Sequence, residues 1–144
     1  MILNSIVSTS RSRYAILDIK NFYLYNKLPS PEYMRIDINI IPKQIIQEYK
    51  LNNIVHNGYV YIEINKGMYG LPQSGKIAND KLTIHLARFG YHPYKRTPGL
   101  WSHQTRPIQF SLVVDDFAVK YERKENLNHL LKMLESKNEM TIDL

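Results

Sequence analysis

The residues best equipped for chemistry are two adjacent carboxylates. They sit in Phe110-Ser111-Leu112-Val113-Val114-Asp115-Asp116-Phe117-Ala118-Val119. An apolar run enters the pair and another leaves it, which reads as strand, tight turn, strand with the acids at the turn. Neighbouring aspartates repel each other, so their adjacency becomes useful only beside a cation or a hydrogen-bond donor. A hard cation such as Mg²⁺ prefers carboxylate oxygen, and a magnesium site is one reading. A solvated hairpin turn is the other, because Asp suits turns. A third acid, Asp18, follows the apolar run Tyr14-Ala15-Ile16-Leu17. If these strands are sheet neighbours, all three carboxylates reach one edge. They could then hold two Mg²⁺ ions about 3.5–4 Å apart, the spacing for in-line displacement at phosphorus.

The elements that must position these acids follow from periodicity. Tyr14 to Ile19 reads as a buried strand, and the aromatic cluster Phe22-Tyr23-Leu24-Tyr25 as a turn or short helix. Pro29-Ser30-Pro31 is expected to break the chain. Tyr33 to Asp37 alternates as a short strand, and Pro42 suits the first turn of a helix running to about Tyr49. His56-Asn57-Gly58 is a loop with a hairpin signal. Tyr59 to Ile64 is the clearest strand. The Gly-rich stretch from Gly67 to Gly75 leads into a helix whose apolar face is Ala78, Leu82, Leu86 and Phe89, with Gly90 as its stop. After an expected turn at Thr97-Pro98-Gly99 come strands at Leu100–His103, Gln109–Val114 and Phe117–Tyr121. A helix follows from Glu125 to about Lys137, striped by Leu127, Leu130, Leu131 and Leu134, and Met140 to Leu144 begins another strand. Residues 1–12 are expected to be disordered. The order predicts one α+β domain, a mostly antiparallel sheet with helices on one face.

Composition narrows the function classes. The chain has 144 residues, 44% hydrophobic and 22% charged, as in an ordinary single globular domain. No apolar run is long enough to span a bilayer, and the N-terminus lacks the basic start and long apolar core of a signal peptide, so no membrane partner is expected. There is no cysteine, hence no disulfide framework and no thiolate metal site. A net charge of +6 favours an anionic partner, nucleic acid first. Eleven tyrosines supply flat faces suited to bases and sugars, or equally to half-buried sheet positions. The five histidines show no metal-ligand spacing and read as surface or packing residues. Trp101 reads as core. Gly67 to Gly75 is not a phosphate-binding P-loop, because it lacks the Gly-Lys-Ser/Thr ending.

Three stretches together resemble a family. Leu17-Asp18-Ile19-Lys20-Asn21-Phe22-Tyr23-Leu24, Gly67-Met68-Tyr69-Gly70-Leu71-Pro72-Gln73 and Leu112-Val113-Val114-Asp115-Asp116 look like successive motifs of the reverse-transcriptase palm. The nearest likeness is to the polymerase of Ty1/copia-type long-terminal-repeat retrotransposons. Thr97-Pro98-Gly99-Leu100-Trp101 and Arg106-Pro107-Ile108-Gln109-Phe110 are also similar to these elements, and the likeness runs from Tyr14 to Leu144.

The resemblance implies an RNA-directed DNA polymerase domain, a nucleotidyltransferase using two Mg²⁺ (or Mn²⁺) ions to join a deoxynucleotide to a primer 3′-hydroxyl. Asp18 and Asp115 would bind metal, with the backbone carbonyl of Ile19 and the lesser partner Asp116. Tyr23 would lie beneath the incoming sugar and reject a 2′-hydroxyl by clash, or else pack in the core. Gln73 would approach the nucleotide and template, or serve the first turn of its helix. Lys20 and Lys120 would face template or primer phosphates, or remain solvated. One departure stands at Val113, where the family often has Tyr. The resemblance also implies partners: an RNA or DNA template–primer, deoxynucleoside triphosphates, and the rest of a pol polyprotein with integrase and RNase H. The location would be intracellular, in a cytoplasmic virus-like particle or the nucleus. The family's triphosphate-gripping fingers lie mainly upstream of Asp18, and its thumb downstream. Residues 1–144 are therefore expected to be a single partial fingers–palm domain without the thumb, its palm from about 13 to 144, with little or no polymerase activity alone. The competing expectation is a vestigial nucleic-acid-binding palm that keeps the fold without the chemistry.

Overall fold

A computed structural model describes residues 9–137 and 140–143. Among the described residues, eight strands and three α-helices follow one another. They are β1 (Arg13–Ile19), β2 (Lys27–Asp37), α1 (Lys43–Glu48), β3 (Tyr59–Lys66), α2 (Pro72–Ala87) and β4 (Tyr91–Tyr94). Then come β5 (Thr97–His103), β6 (Ile108–Val113), β7 (Asp116–Tyr121), α3 (Lys124–Glu135) and β8 (Met140–Asp143). Six strands form one sheet in the order β4-β5-β6-β7-β1-β8, and β2 pairs with β3 in a second. Every pairing is antiparallel. The α+β expectation therefore holds, with two sheets where one was expected.

Alternation decides which face of the large sheet is covered. In β1, Ala15, Leu17 and Ile19 are buried, and in β7 so are Phe117, Val119 and Tyr121. Ala15 stands opposite Val119 and Leu17 opposite Phe117, so these side chains share a face. Ala78, Leu82 and Leu86 of α2 and Leu127, Leu130 and Leu134 of α3 join the same core, as do Trp101 and Phe110. Two amphipathic helices thus cover one face, as the leucine stripe predicts. The other face of β1 and β7 carries Tyr14, Ile16 and Asp18 opposite Lys120, Ala118 and Asp116, and these six residues are outside the buried core.

Several expectations need correction. Pro29-Ser30-Pro31 does not break the chain: it lies inside β2, where the ladder slips between Lys27 and Glu32. The irregularity removes the need for proline N–H groups in the ladder, which is where a strand tolerates them. Thr97-Pro98-Gly99 is likewise strand, and the turn lies before it at Lys95-Arg96. The strand β4 carries no strand signal in the sequence, since Tyr91 is its only buried residue and Pro93 interrupts its pattern. Of the expected disorder over residues 1–12, residues 1–8 lie outside the described residues. Thr9 to Ser12 form a turn, closed by Ser12 N–H and Oγ–H on the Thr9 carbonyl. Leu144 also lies outside the described residues. Among the described residues, no helix is long and apolar enough to cross a membrane.

Candidate active site

The three aspartates meet at one end of the sheet because of register. Asp18 stands directly opposite Asp116 in the β1–β7 ladder. Val113 stands opposite Asp116 across β6–β7, so the hairpin loop is Val114-Asp115 and Asp116 already belongs to β7. Opposed residues share a face with Cβ atoms about 4.5–5.5 Å apart. Asp18 and Asp116 therefore stand side by side on the open face. The turn is pinned to β1 as well: Ile19 N–H donates to the Asp115 carbonyl at 3.2 Å. That bond holds the expected metal-binding strand and the acid turn in one frame.

The turn is strained. Val114 has φ of 62°, a left-handed conformation that a β-branched residue rarely adopts. Positive φ at the first loop position gives the mirror-type turn matched to the twist of a two-residue hairpin, where glycine is usual. A valine held there costs of order 1–3 kcal/mol, and such outliers cluster where geometry serves a site.

Electrostatics agree with the crowding. The carboxyl of Asp18 is pushed up from the ordinary aspartate range, first by desolvation, then by Asp115 and Asp116, while Lys20 pulls it down. Partial burial and two like charges thus both oppose ionisation. The donor set is oxygen-only and negative, which suits a hard divalent cation. The three acids are not gathered into a closed coordination shell, since no group of three potential side-chain ligands fit to hold a metal is found among the described residues. One reason is visible. The Tyr69 hydroxyl donates to Asp115 Oδ2 at 3.1 Å, so that carboxylate is already engaged.

Tyr69 gains from the structure a role that its sequence neighbourhood does not signal. It comes from the Gly67-Met68-Tyr69-Gly70 loop, and its ring meets Tyr23 edge-on at 4.7 Å between centroids. Tyr23 thus sits between the turn after β1 and the loop before α2, half-buried beside the acids. A pocket of about 320 Å³ opens here, with Tyr23, Gly75, Gly99 and Val114 in its wall. The loop approaches so closely that only glycine fits at 67: a Cβ there would lie 2.8 Å from the Tyr23 carbonyl oxygen. Gly67 N–H also donates to Asn26 at 2.7 Å, and Ser74 Oγ accepts from Met68 N–H at 3.0 Å. The three resembling motifs are therefore one contiguous structure around Tyr23.

No protein-family model matches the chain.

The remaining expected residues fall as follows. Gln73 is on the first turn of α2, and its amide donates to Glu32 Oε1 at 2.6 Å, bracing α2 against β2. Lys120 projects from the open face, and its ammonium donates to Thr9 Oγ1 at 2.7 Å. Lys20 is exposed at the turn after β1, near enough to Asp18 to act on its charge. The histidines are less scattered than their spacing suggests. The His103 and His129 rings pack 5.5 Å apart beside buried Tyr91, whose hydroxyl lies 2.9 Å from His129 Nδ1. They form a packing cluster, in line with the reading from sequence.

Proposed function

We propose that this chain is the palm of an RNA-directed DNA polymerase of the retrotransposon kind. One observation carries the reading: Asp18 and Asp116 are opposed in the ladder, with Asp115 in the adjoining turn bonded to Ile19. This is the pairing the motif order calls for, in a chain whose motifs lie far apart in sequence. Tyr23, whose ring meets that of Tyr69, the tyrosine bonded to Asp115, supports the sugar-facing role.

In this reading Asp18, Asp115 and Asp116, with the Ile19 carbonyl, would hold two divalent ions. Such ions would supply Lewis acidity to a primer 3′-hydroxyl and positive charge to a triphosphate. The chain's own part is placement. The β6–β7 hairpin fixes Asp115, and the ladder fixes Asp18 against Asp116. The Tyr69 hydroxyl must release Asp115 Oδ2 for that oxygen to ligate. Tyr23 excludes a 2′-hydroxyl by occupying its space. Lys20 and Lys120 lie on the acid-bearing side, where a template–primer would pass.

Iron-directed cleavage tests the site without requiring turnover. Fe²⁺ in place of Mg²⁺, with ascorbate and peroxide, cuts the backbone near bound metal. Cleavage around residues 18–19 and 114–116, suppressed by excess Mg²⁺ and lost in Asp18→Asn, is expected. Cleavage elsewhere only, or a pattern unchanged in Asp18→Asn, rejects the metal site. A second reading, a palm that binds nucleic acid without chemistry, is favoured by the engagement of Asp115 by Tyr69. Primer–template binding that is independent of Mg²⁺ and of Asp18 would select it.

A further inference from the structure

Behind the sheet, away from the aspartates, α2 borders a second pocket of about 380 Å³. Its size falls within the range of about 300–1,000 Å³ typical of small-molecule sites. Buried Phe22 and half-exposed Tyr25 both line it. Lys81 on α2 and Arg88, the residue that caps the helix C-terminus seven positions on, both line the pocket, and Lys137 lines it from just beyond α3. Among the described residues no carboxylate lines the pocket. Among the described residues none of these three cations is in an ion pair; the salt bridge on α2 joins Lys76 to Asp80 instead. His85, 6% exposed, completes the wall, its Nε2–H donating to the Met133 carbonyl at 2.7 Å. That bond ties α2 to α3 and fixes the shape of the pocket.

Three cations brought together without a counter-ion repel one another, and an anion relieves that repulsion. An anion alone needs no apolar lining. Aromatic side chains and three cations lining one pocket match a flat ring that carries a phosphate. From this we infer that the pocket binds a small aromatic phosphate, up to a mononucleotide in size. The ring lies against Phe22 and Tyr25, and the phosphate meets Lys81, Arg88 and Lys137. Asp18 and Asp116 project from the opposite face of the sheet, so this site is separate from the proposed polymerase centre and does not depend on that reading.

The test uses the full chain in EDTA, which removes metal-dependent nucleotide binding. Phenyl phosphate, AMP and inorganic phosphate are titrated in turn while the His85 and Tyr25 resonances are followed by NMR. Phenyl phosphate should saturate with Kd below about 1 mM, a binding free energy near −4 kcal/mol. Inorganic phosphate should bind at least tenfold more weakly. Tighter binding of AMP than of phenyl phosphate marks a nucleotide site, and the reverse order marks a site for simpler aryl phosphates. Arg88→Glu and the milder Arg88→Gln should each weaken phenyl phosphate, the former at least tenfold, with unchanged circular dichroism. Lys43→Glu, an equal charge change on α1, should not. Equal losses in Lys43→Glu and Arg88→Glu, equal affinity for inorganic and phenyl phosphate, or shifts confined to residues near Asp18 would overturn the proposal.

Discussion

Replacing Asp18 by Asn should stabilise the metal-free protein and remove its response to metal. Asp18 faces Asp116 across the ladder, with Asp115 in the next turn. Like charges directly opposite on a sheet cost roughly 0.2–1 kcal/mol. Asparagine keeps the shape and removes one charge, so the gain should approach the upper end of that range at low salt. For a domain of this size such a gain raises Tm by about 2–6 °C. The pH dependence has a fixed sign. The folded pKa of Asp18 lies above its ordinary value through desolvation and its two neighbours. Its contribution is therefore fully present below about pH 4, the unfolded pKa, and is lost as pH rises through the raised folded pKa. The Tm difference between Asp18→Asn and wild type should thus be near zero in acid and grow toward neutrality. Added Mn²⁺ should reverse the order. A ligand at one hundred times its Kd stabilises by about 2.7 kcal/mol, and only the wild type retains the site. Melts followed by circular dichroism from pH 4 to 8, in EDTA and then in Mn²⁺, measure all three effects. Two results would refute the reasoning: a lower Tm for Asp18→Asn at pH 7 in EDTA, or an equal Mn²⁺ response in both proteins.

Three further outcomes follow from the same geometry. Gly67→Ala places a Cβ 2.8 Å from the Tyr23 carbonyl oxygen, a backbone atom that cannot easily yield. Urea denaturation should show a loss of about 1–3 kcal/mol. Tyr69→Phe removes an exposed hydrogen bond to Asp115, so urea midpoints should shift by less than about 1 kcal/mol. The same change frees Oδ2, and Mn²⁺ titration should show tighter binding than in wild type. The His103 ring nitrogen Nδ1 accepts from Thr105 N–H and Arg106 N–H, each at 3.1 Å, and desolvation lowers the pKa of the ring. Its stabilisation is complete above the ordinary histidine range and disappears as pH falls through the lowered value. The acid limb of the Tm–pH curve should therefore flatten in His103→Asn.

Where one face of an element is buried, the sequence was easy to read. Leu17 and Ile19, Phe117 and Val119, and the leucines of α3 repeat at the period of their elements, and each predicted the covered face. The hairpin bearing Asp115 was legible because apolar runs bracket two polar residues. Pro29, Pro31 and Pro98 misled because proline signals a break only where its missing N–H is needed. In β2 the slipped ladder leaves that position unpaired, and no local signal announces the slip. The role of Tyr69 was invisible for a different reason. Nothing near Tyr69 in the chain is acidic, and its partner lies forty-six positions away. The motif placed the tyrosine in a loop, but only the folded approach of Gly67 to Tyr23 brings its hydroxyl to Asp115. The pairing of Gln73 with Glu32 is hidden in the same way, as a contact between helix α2 and strand β2 that periodicity does not relate.

The bond between Gly67 and Asn26 has a mechanical meaning. The chain passes from the large sheet to the small one through the turn after β1, and returns through the Gly67 loop. Those two passages are bolted together at their base, with Lys27 opposite Lys66 immediately beyond. The β2–β3 unit is therefore a lever whose fulcrum lies beside Tyr23. Eight extended residues reach about 27 Å from that fulcrum. A rotation of about ten degrees there would carry the far tip some ~5 Å by simple proportion to that reach, while Tyr23 and Tyr69 barely move. Travel at the far tip would thus be large while the loops joined at the Gly67–Asn26 bond stay nearly still.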